Sequence, residues 1–252
     1  MTKKDLHKQF GLVGKNIDYS FSRRYFSEKF LRENRTNHQY VNYDLKSIEE
    51  FNRVLKETPI PNGLNVTIPY KKEIIPFLDK LSEEAKTIGA VNTIVWDPSG
   101  KTVGHNTDHI GFTKALLEQV RSAPTKALVL GTGGASKAIQ YALDKIHCKY
   151  LMVSRNPQKN QLSYDDLNSD ILNSVELIIN TTPLGTFPNI SDAPPIPYNL
   201  LHSKHFLFDL IYNPEETQFL KEGKSRGCKT TNGYKMLVYQ AEKSWELWNR
   251  DS

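Results

Sequence analysis

Residues 126–145 read KALVLGTGGASKAIQYALDK, and this stretch decides the fold class. Its apolar run, Ala127–Leu130, is typical of a parallel strand, which is buried on both faces. A glycine-rich turn follows, and then amphipathic sequence predicts a helix to about Lys145. Strand, glycine turn and helix in this order are typical of a dinucleotide-binding unit. Glycine lets the backbone approach a pyrophosphate, whose charge sits at the helix N-terminus.

The turn supplies five candidate cofactor-binding residues, Gly131, Thr132, Gly133, Gly134 and Ala135. Gly131 and Gly133 occupy the first two positions of the dinucleotide fingerprint, whereas Ser136 stands where a third glycine is usual. Taken alone, the motif is also compatible with a tight strand–helix connection. Further apolar segments follow before residue 210, and they favour cofactor binding because they complete a doubly wound parallel sheet.

The residues after the next predicted strand indicate which dinucleotide binds. An enzyme that prefers NAD usually has Asp or Glu about 20 residues beyond the turn, where it holds the ribose 2′-hydroxyl. This chain instead has Ser154, Arg155 and Asn156, followed by Lys159. A guanidinium pairs with a 2′-phosphate, which a carboxylate would repel, so the sequence predicts NADP. The alternative is that Arg155 is an ordinary surface arginine.

The first hundred residues alternate short apolar segments with helical ones, which predicts a further α/β domain. Strands are predicted at 10–14, 40–43, 63–67 and 90–96, and helices at 22–34 and from Pro69 to about Pro76. The end of the chain, 235–248, is amphipathic and predicts a helix. We expect this helix to return to the first domain. We expect a substrate-binding domain at 1–107, completed by 233–252, and a Rossmann-like NADP domain at 108–232.

A candidate catalytic lysine ends the segment NVTIPYK at 65–71. Pro69 is a favourable first residue of a helix. Lys71 would then lie in the first turn, where the helix dipole disfavours an ammonium ion, as suits a general acid/base near neutral pH. A solvated helix start is the alternative reading.

A candidate partner for Lys71 is Asp108, which precedes a predicted helix at 110–119. An isolated Asp at such a position is more often a helix cap. If the dinucleotide is used to reduce a ketone, however, the reaction needs a proton donor beside the carbonyl oxygen. A Lys–Asp pair would supply and orient one. Whether the two side chains meet depends on the fold.

Composition argues against several other classes of protein. The 252 residues are 38% hydrophobic and 24% charged, near globular averages. No apolar run approaches the roughly 20 residues of a membrane span, and no signal segment follows Met1, so we expect a cytoplasmic protein. Cys148 and Cys228 lack metal-ligand spacing, and we expect reduced thiols and no metal. The net charge of +5 is scattered in pairs such as Arg23-Arg24, which argues against nucleic-acid binding.

A series of motifs in one order resembles the shikimate dehydrogenase family over nearly the whole chain. The motifs are Ser20 with Ser22, NVTIPYK at 65–71, GAVNT at 89–93, NTD at 106–108, the glycine turn, NTTPLG at 180–185, DLIYNP at 209–214 and GYKMLVYQ at 233–240. The resemblance implies reversible reduction of 3-dehydroshikimate to shikimate with NADPH, on the route to chorismate and the aromatic amino acids. It further implies a small-molecule substrate, and a monomer or homodimer.

The resemblance also implies roles for individual residues. Lys71 and Asp108 would form the general acid/base pair. The substrate carboxylate would be held by hydroxyl groups, those of Ser20, Ser22 and Tyr212. The ring hydroxyls would be read by polar side chains, those of Asn65, Thr67, Asn92 and Gln240. Thr181, Leu210 and Gly233 would belong to the cofactor site, the last two near the nicotinamide.

Three departures from the family pattern bear on these roles. Tyr19 and Arg23 stand where the family usually has His and Pro, and this departure bears on substrate preference at the carboxylate end. Ser154 replaces a more usual Asn and bears on cofactor affinity. One alternative is a quinate/shikimate dehydrogenase with relaxed substrate or cofactor choice. Another is a non-catalytic ligand sensor, which should lack Lys71 or Asp108 and carry a fused module for which this length leaves no room.

Overall fold

The structure is a computed structural model that describes residues 7–18, 20–57 and 59–250. Tyr19, one of the departures from the family pattern, lies outside the described residues. The chain divides into two compact units. Residues up to Thr107, together with those from Ala241 onward, form the first unit, and Asp108–Gln240 form the second.

The first unit contains a mixed six-stranded sheet. Its strands are β1 (Lys8–Gly14), β2 (His38–Asp44), β3 (Gly63–Val66), β4 (Lys80–Leu81), β5 (Thr93–Trp96) and β6 (Thr102–His105). They lie in the order β2-β1-β3-β5-β6-β4. The first three are parallel, whereas β5 runs antiparallel to both β3 and β6. The helices are α1 (Phe21–Arg32), α2 (Phe51–Val54) and α3 (Glu83–Ile88).

The second unit contains a five-stranded, wholly parallel sheet. Its strands are β7 (Lys126–Leu130), β8 (Lys149–Val153), β9 (Leu177–Asn180), β10 (Phe206–Asp209) and β11 (Lys229–Thr231), in the order β11-β10-β9-β7-β8. Its helices are α4 (Asp108–Leu117), α5 (Gly134–Lys145), α6 (Ser169–Asn173) and α7 (Gln218–Ser225). The last helix, α8 (Tyr234–Trp248), begins in this unit and ends in the first.

Alternate residues of the parallel strands pack into two separate hydrophobic cores, one on each face of the sheet. Val129 and Phe208 belong to one core, while their neighbours Leu128 and Leu207 belong to the other. All four side chains are fully buried. A sheet covered on both faces requires continuous apolar strands, which is the pattern of 127–130. The predicted α/β class with a doubly wound, Rossmann-like second domain is confirmed.

The end of the chain packs into the core of the first unit. Trp248 stacks on Phe10 with ring centroids 5.0 Å apart, and its indole nitrogen donates to the carbonyl oxygen of Ile94 at 3.1 Å. Trp245 meets the same Phe10 ring edge-on at 5.3 Å. The predicted return of the last helix to the first domain is confirmed.

Gly63→Ala is expected to destabilise the first unit by about 1–3 kcal/mol, the usual cost of overpacking. A Cβ at this position would overlap the indole ring of Trp248, which stacking and a hydrogen bond hold in place. The measurement is the free energy of unfolding in urea. Gly134→Ala is the control, because a Cβ there meets no atom within 4 Å and the position lies inside α5, where alanine is a good helix former. Equal stability of the two variants would contradict the packing argument.

One predicted helix is wrong. Residues 68–74 form a series of turns, and only Ile75–Phe77 form a short 3-10 helix. An α-helix beginning at Pro69 would need the carbonyl of Lys71 to accept from residue 75. That carbonyl instead accepts from the backbone nitrogen of Val91 at 2.7 Å, while Ile75 donates to Lys72. A contact distant in sequence therefore replaces the local helix.

Candidate active site

The candidate substrate residues of the first unit lie near one edge of its sheet, where β1, β3 and β6 end and β5 begins. Val13 of β1 lies opposite Val66 of β3, so the carboxyl ends of these parallel strands coincide. Asn65 lies opposite Thr93, where β5 begins, and Thr93 lies opposite His105, where β6 ends. Ligands of α/β sheets usually bind at such an edge. Five candidates follow or precede these strand ends: Ser20, Ser22, Thr67, Lys71 and Asn92.

The two serines lie at the start of α1. Ser20 is the N-cap, and its hydroxyl oxygen accepts from the backbone nitrogen of Arg23 at 3.2 Å. Its own proton can therefore still be donated to a ligand. Ser22 is partly exposed in the first turn, which contains no acidic residue. A helix N-terminus with two hydroxyl groups can bind a carboxylate.

The departure at Arg23 has a local explanation. The side chain is exposed, and the backbone N–H makes the capping bond to Ser20. Proline, which the family usually has here, has no N–H and could not make that bond. Arg23 therefore strengthens the cap that holds Ser20.

Asn65 and Asn92 lie in a buried hydrogen-bond network that fixes the orientation of their amides. The side-chain oxygen of Asn65 accepts from the hydroxyl of Tyr40 at 2.8 Å. Its nitrogen donates to Ser244 at 3.0 Å and to the carbonyl of Asn92 at 3.2 Å. The oxygen of Asn92 accepts from the backbone nitrogen of Thr107 at 2.7 Å. Burial raises the pKa of Tyr40 well above its usual value, so this hydroxyl stays a donor.

The sequence did not reveal the supporting members of this network, which are Tyr40, Thr93, Thr107 and Ser244. Thr93 and Ser244 are fully buried, and their hydroxyl oxygens are 2.7 Å apart. Ser244 lies on α8, where a serine in an amphipathic helix gives no sign of being buried. Its role depends on the return of that helix to the first unit.

Lys71 follows the end of β3 and is only partly exposed. Its backbone is anchored by the bond from Val91 described above. Because residues 68–74 form turns, Lys71 does not lie in the first turn of an α-helix, and its ammonium group does not feel the dipole predicted there. The assignment of Lys71 as a general acid/base depends instead on its backbone bond to Val91, which places it near the candidate substrate residue Asn92.

The second unit contains the other candidates for the reaction. Asp108 is the first residue of α4 and is mostly buried. Gln240 packs on Gly111 of the same helix, and its side-chain nitrogen donates to the carbonyl of Leu237 at 3.0 Å. Tyr212 is about one third exposed, at 36%. Lys71 belongs to the first unit and Asp108 to the second, so their pairing stays a prediction.

The glycine turn lies at the carboxyl edge of the second sheet, between β7 and α5. Gly131 has φ +99°, a conformation that favours glycine, and a Cβ there would be 2.8 Å from the methyl group of Thr182. Gly133 is the N-cap of α5, and no side-chain bond caps the helix there. A Cβ on Gly133 or Gly134 would meet no atom within 4 Å. The turn therefore leaves open space in front of a helix N-terminus, as a pyrophosphate requires.

Two side chains support this turn from within. The hydroxyl of Thr181, which follows β9, donates to the carbonyl of Leu130 at 2.7 Å. Ser136, which replaces the usual third glycine, is fully buried, and its hydroxyl donates to the carbonyl of Gly133 at 2.7 Å. The serine therefore stabilises the turn instead of obstructing it.

The candidate 2′-phosphate residues lie beside the turn. Val153 at the end of β8 is opposite Leu130 at the end of β7, so Ser154 and Gly131 leave the sheet side by side. The buried Ser154 hydroxyl accepts from the backbone nitrogen of Asn156 at 3.2 Å. Arg155, Asn156 and Lys159 are exposed. An exposed arginine next to a turn that has room for a pyrophosphate fits the 2′-phosphate of NADP.

Leu210 and Gly233 are in direct backbone contact. The nitrogen of Gly233 donates to the carbonyl of Ile211 at 3.0 Å, and a Cβ on Gly233 would overlap the carbonyl of Leu210. Only glycine fits at this position. The start of α8 is thereby held against the loop that follows β10.

The part of the chain that the structure describes contains neither a candidate metal cluster nor a membrane-spanning helix. Within 7–18, 20–57 and 59–250, no cluster of three His, Cys, Asp or Glu side chains could hold a metal ion. In the same part of the chain, no helix is both long and apolar enough to cross a membrane. Cys148 and Cys228 are buried, unpaired thiols.

Known proteins resemble this chain over nearly its full length. The family model described as the shikimate dehydrogenase substrate binding domain matches residues 12–94. The NADP⁺ shikimate dehydrogenase of Methanococcus aeolicus is 36% identical over 258 residues, covering 96% of this chain and 91% of that protein.

Two solved structures extend this similarity to the fold. The shikimate 5-dehydrogenase of Thermus thermophilus, solved with NADP(H) and shikimate, has a TM-score of 0.85 at 28% identity, covering 96% of this chain and 94% of that one. The quinate dehydrogenase of Corynebacterium glutamicum, solved with NAD, has the same TM-score at 26% identity and the same coverage.

Proposed function

Because the chain belongs to the shikimate dehydrogenase family, we propose that it is an oxidoreductase that reversibly reduces 3-dehydroshikimate to shikimate with NADPH. This reaction lies on the route to chorismate and the aromatic amino acids. The observation that carries the proposal is the shared sheet edge in the first unit, where the candidates Asn65 and Asn92 lie. The backbone carbonyl of Lys71 accepts there from Val91, the neighbour of Asn92. A basic group among hydroxyl- and amide-bearing side chains suits a small polyhydroxylated acid.

In this proposal each group of residues has a chemical task. Ser20 and Ser22 bind the carboxylate at the N-terminus of α1, and Tyr212 donates a further hydrogen bond. Polar side chains read the ring hydroxyls, those of Asn65, Thr67, Asn92 and Gln240. The rigid network around Asn65 supports this task, because fixed amides discriminate between hydroxyl positions better than mobile ones.

Lys71 and Asp108 are proposed as the general acid/base pair. In the direction of reduction, Lys71 donates its proton to the ketone oxygen, and Asp108 orients the ammonium group. In the reverse direction, the neutral amine takes the proton back from the hydroxyl group. NADPH, when bound, supplies the hydride.

The residues of the second unit fit NADP. Gly131, Thr132, Gly133, Gly134 and Ala135 would hold the pyrophosphate, and Thr181 supports them through the carbonyl of Leu130. The exposed group Arg155, Asn156 and Lys159, which the buried Ser154 supports, would hold the 2′-phosphate. Leu210 and Gly233 would lie at the nicotinamide end.

Steady-state assays at the nicotinamide absorbance band test the proposal. Four combinations are compared, with shikimate or quinate as substrate and NADP⁺ or NAD⁺ as cofactor. We expect the highest kcat/KM with shikimate and NADP⁺. Comparable values for quinate would support the alternative of a quinate/shikimate dehydrogenase. The similarity to the solved quinate dehydrogenase is compatible with that alternative. Absence of turnover with every pair would contradict the proposal.

Location and assembly complete the proposal. We infer a cytoplasmic enzyme that acts as a monomer or homodimer. The two buried, unpaired thiols are compatible with the reducing conditions of the cytoplasm. Light scattering of the purified protein at assay concentration measures the oligomeric state. A stable assembly larger than a dimer would contradict this part of the proposal.

A further inference from the structure

Asp209 has a buried carboxyl group and is not among the proposed catalytic, substrate-binding or cofactor-binding residues. It ends β10 and is fully buried. Its oxygens accept three hydrogen bonds: from the side-chain nitrogen of Asn180 at 3.0 Å, the backbone nitrogen of Ile211 at 3.0 Å and the hydroxyl of Thr217 at 2.6 Å. Three donors hold this buried side chain in one position, because leaving a buried polar group without hydrogen bonds is costly.

The three donors belong to three different segments at the carboxyl edge of the sheet. Asn180 ends β9, and its side-chain oxygen accepts from the backbone and hydroxyl of Thr182 at 3.0 and 2.7 Å. Ile211 lies in the loop after β10 and accepts from Gly233. Thr217 is the N-cap of α7. One carboxyl group thus connects the loops after β9 and β10 with the start of a helix.

These loops contain the residues proposed for the nicotinamide end of the cofactor. Thr181 lies between two members of the network, Asn180 and Thr182. Leu210 lies between Asp209 and Ile211, and its backbone nitrogen donates to the carbonyl of Asn180 at 3.1 Å. A change in the position of Asp209 would therefore move both loops.

We propose that Asp209 is a positioning residue for the cofactor, which holds the loops after β9 and β10 at the separation that the nicotinamide end requires. This inference rests on the proposed function, since it assumes that Thr181, Leu210 and Gly233 face the cofactor. Asp209 acts through these loops and does not itself touch the reacting atoms.

Two substitutions separate the geometry of the side chain from its charge. In Asp209→Asn the remaining oxygen can accept from Asn180 and Ile211, and the new amide nitrogen can donate to the oxygen of Thr217. Asp209→Ala removes all three acceptors. Phe208→Leu, a neighbouring core substitution on the same strand, is the control for simple loss of stability.

The measurement is a fluorescence titration of the full-length protein with NADP⁺ in the absence of substrate. We expect Asp209→Ala to raise the dissociation constant at least about tenfold, because the cofactor would then have to order two loops that are no longer held in position. Asp209→Asn should restore binding close to that of the unmodified protein. Phe208→Leu should bind normally at temperatures at which it is folded.

The outcomes distinguish this inference from the proposed function. If the unmodified protein does not bind NADP⁺, the proposed function fails. If it binds, and a folded Asp209→Ala variant binds equally well, only the positioning role is wrong. Failure of Asp209→Asn to restore binding would also overturn the inference, because the geometry alone should suffice.

A pH series adds a readout of the Asp209 side chain itself. Burial raises the pKa of Asp209 to about 6, against the lowering effect of its three hydrogen bonds. Tyr198 is a titratable group that interacts with it, and burial keeps that phenol neutral. The folded state therefore binds a proton more tightly than the unfolded state, and this contribution to stability is lost as the pH rises from about 4 to about 6.

Asp209→Asn has no such proton to lose. The free energy of unfolding in urea is therefore compared between the variant and the unmodified protein. The difference should change in favour of the variant as the pH rises across this window. A constant difference across the window would contradict the burial of this carboxyl group among its three donors, which is the geometry on which the positioning role rests.

Discussion

Lys71→Ala is expected to lower turnover by about 10²–10⁴-fold, the usual contribution of a general acid/base. The reason is that the ketone oxygen would lose its proton donor during reduction, and the shikimate hydroxyl group would lose its proton acceptor during oxidation. Shikimate binding should stay measurable, because the carboxylate and hydroxyl contacts are made by other residues. The measurement is kcat and KM for shikimate with saturating NADP⁺.

Lys72→Ala is the matched control for this prediction. Lys72 is the next residue in the same series of turns and is exposed, whereas Lys71 is partly buried. The turnover of the Lys72→Ala variant should stay within about twofold of that of the unmodified enzyme, as for most surface substitutions. Near-normal turnover of Lys71→Ala would mean that the proton donor has been assigned to the wrong residue.

Arg155→Ala is expected to raise the dissociation constant of NADPH by about 10- to 100-fold and to change that of NADH little. A charge-assisted hydrogen bond to a phosphate contributes about 1.5–3 kcal/mol, and only NADPH carries the 2′-phosphate. The measurement is nucleotide fluorescence in titrations with each reduced cofactor.

Arg121→Ala provides the control for loss of positive charge. Arg121 is an exposed arginine of the second unit that no proposed contact involves. Its replacement should leave both dissociation constants unchanged. Equal weakening of NADPH and NADH by Arg155→Ala would contradict the assignment of Arg155 to the 2′-phosphate.

The sequence predicted the second unit well because its signals are local. A fully apolar strand such as 127–130, followed by a glycine turn, has few alternative structures, and the turn has the predicted position. Short strands with polar residues were missed, for example β6 and β11. Their few residues carry too little periodicity to be distinguished from loops.

The first unit shows where local reasoning fails. Pro69 favours the start of a helix, but the carbonyl of Lys71 bonds to Val91, which the sequence places 20 positions away. The network around Asn65 likewise depends on Ser244, at the other end of the chain. Asp209 was visible in a family motif, yet its three donors become evident only when β9 and β10 lie side by side.

The glycine turn separates two kinds of evolutionary constraint. At residue 131, both the left-handed backbone and the crowding by Thr182 penalise any side chain, so selection for folding alone would retain glycine. At residue 133 a methyl group would have free space around it. Descendants that had abandoned the ancestral ligand could therefore drift away from glycine at 133 while keeping it at 131.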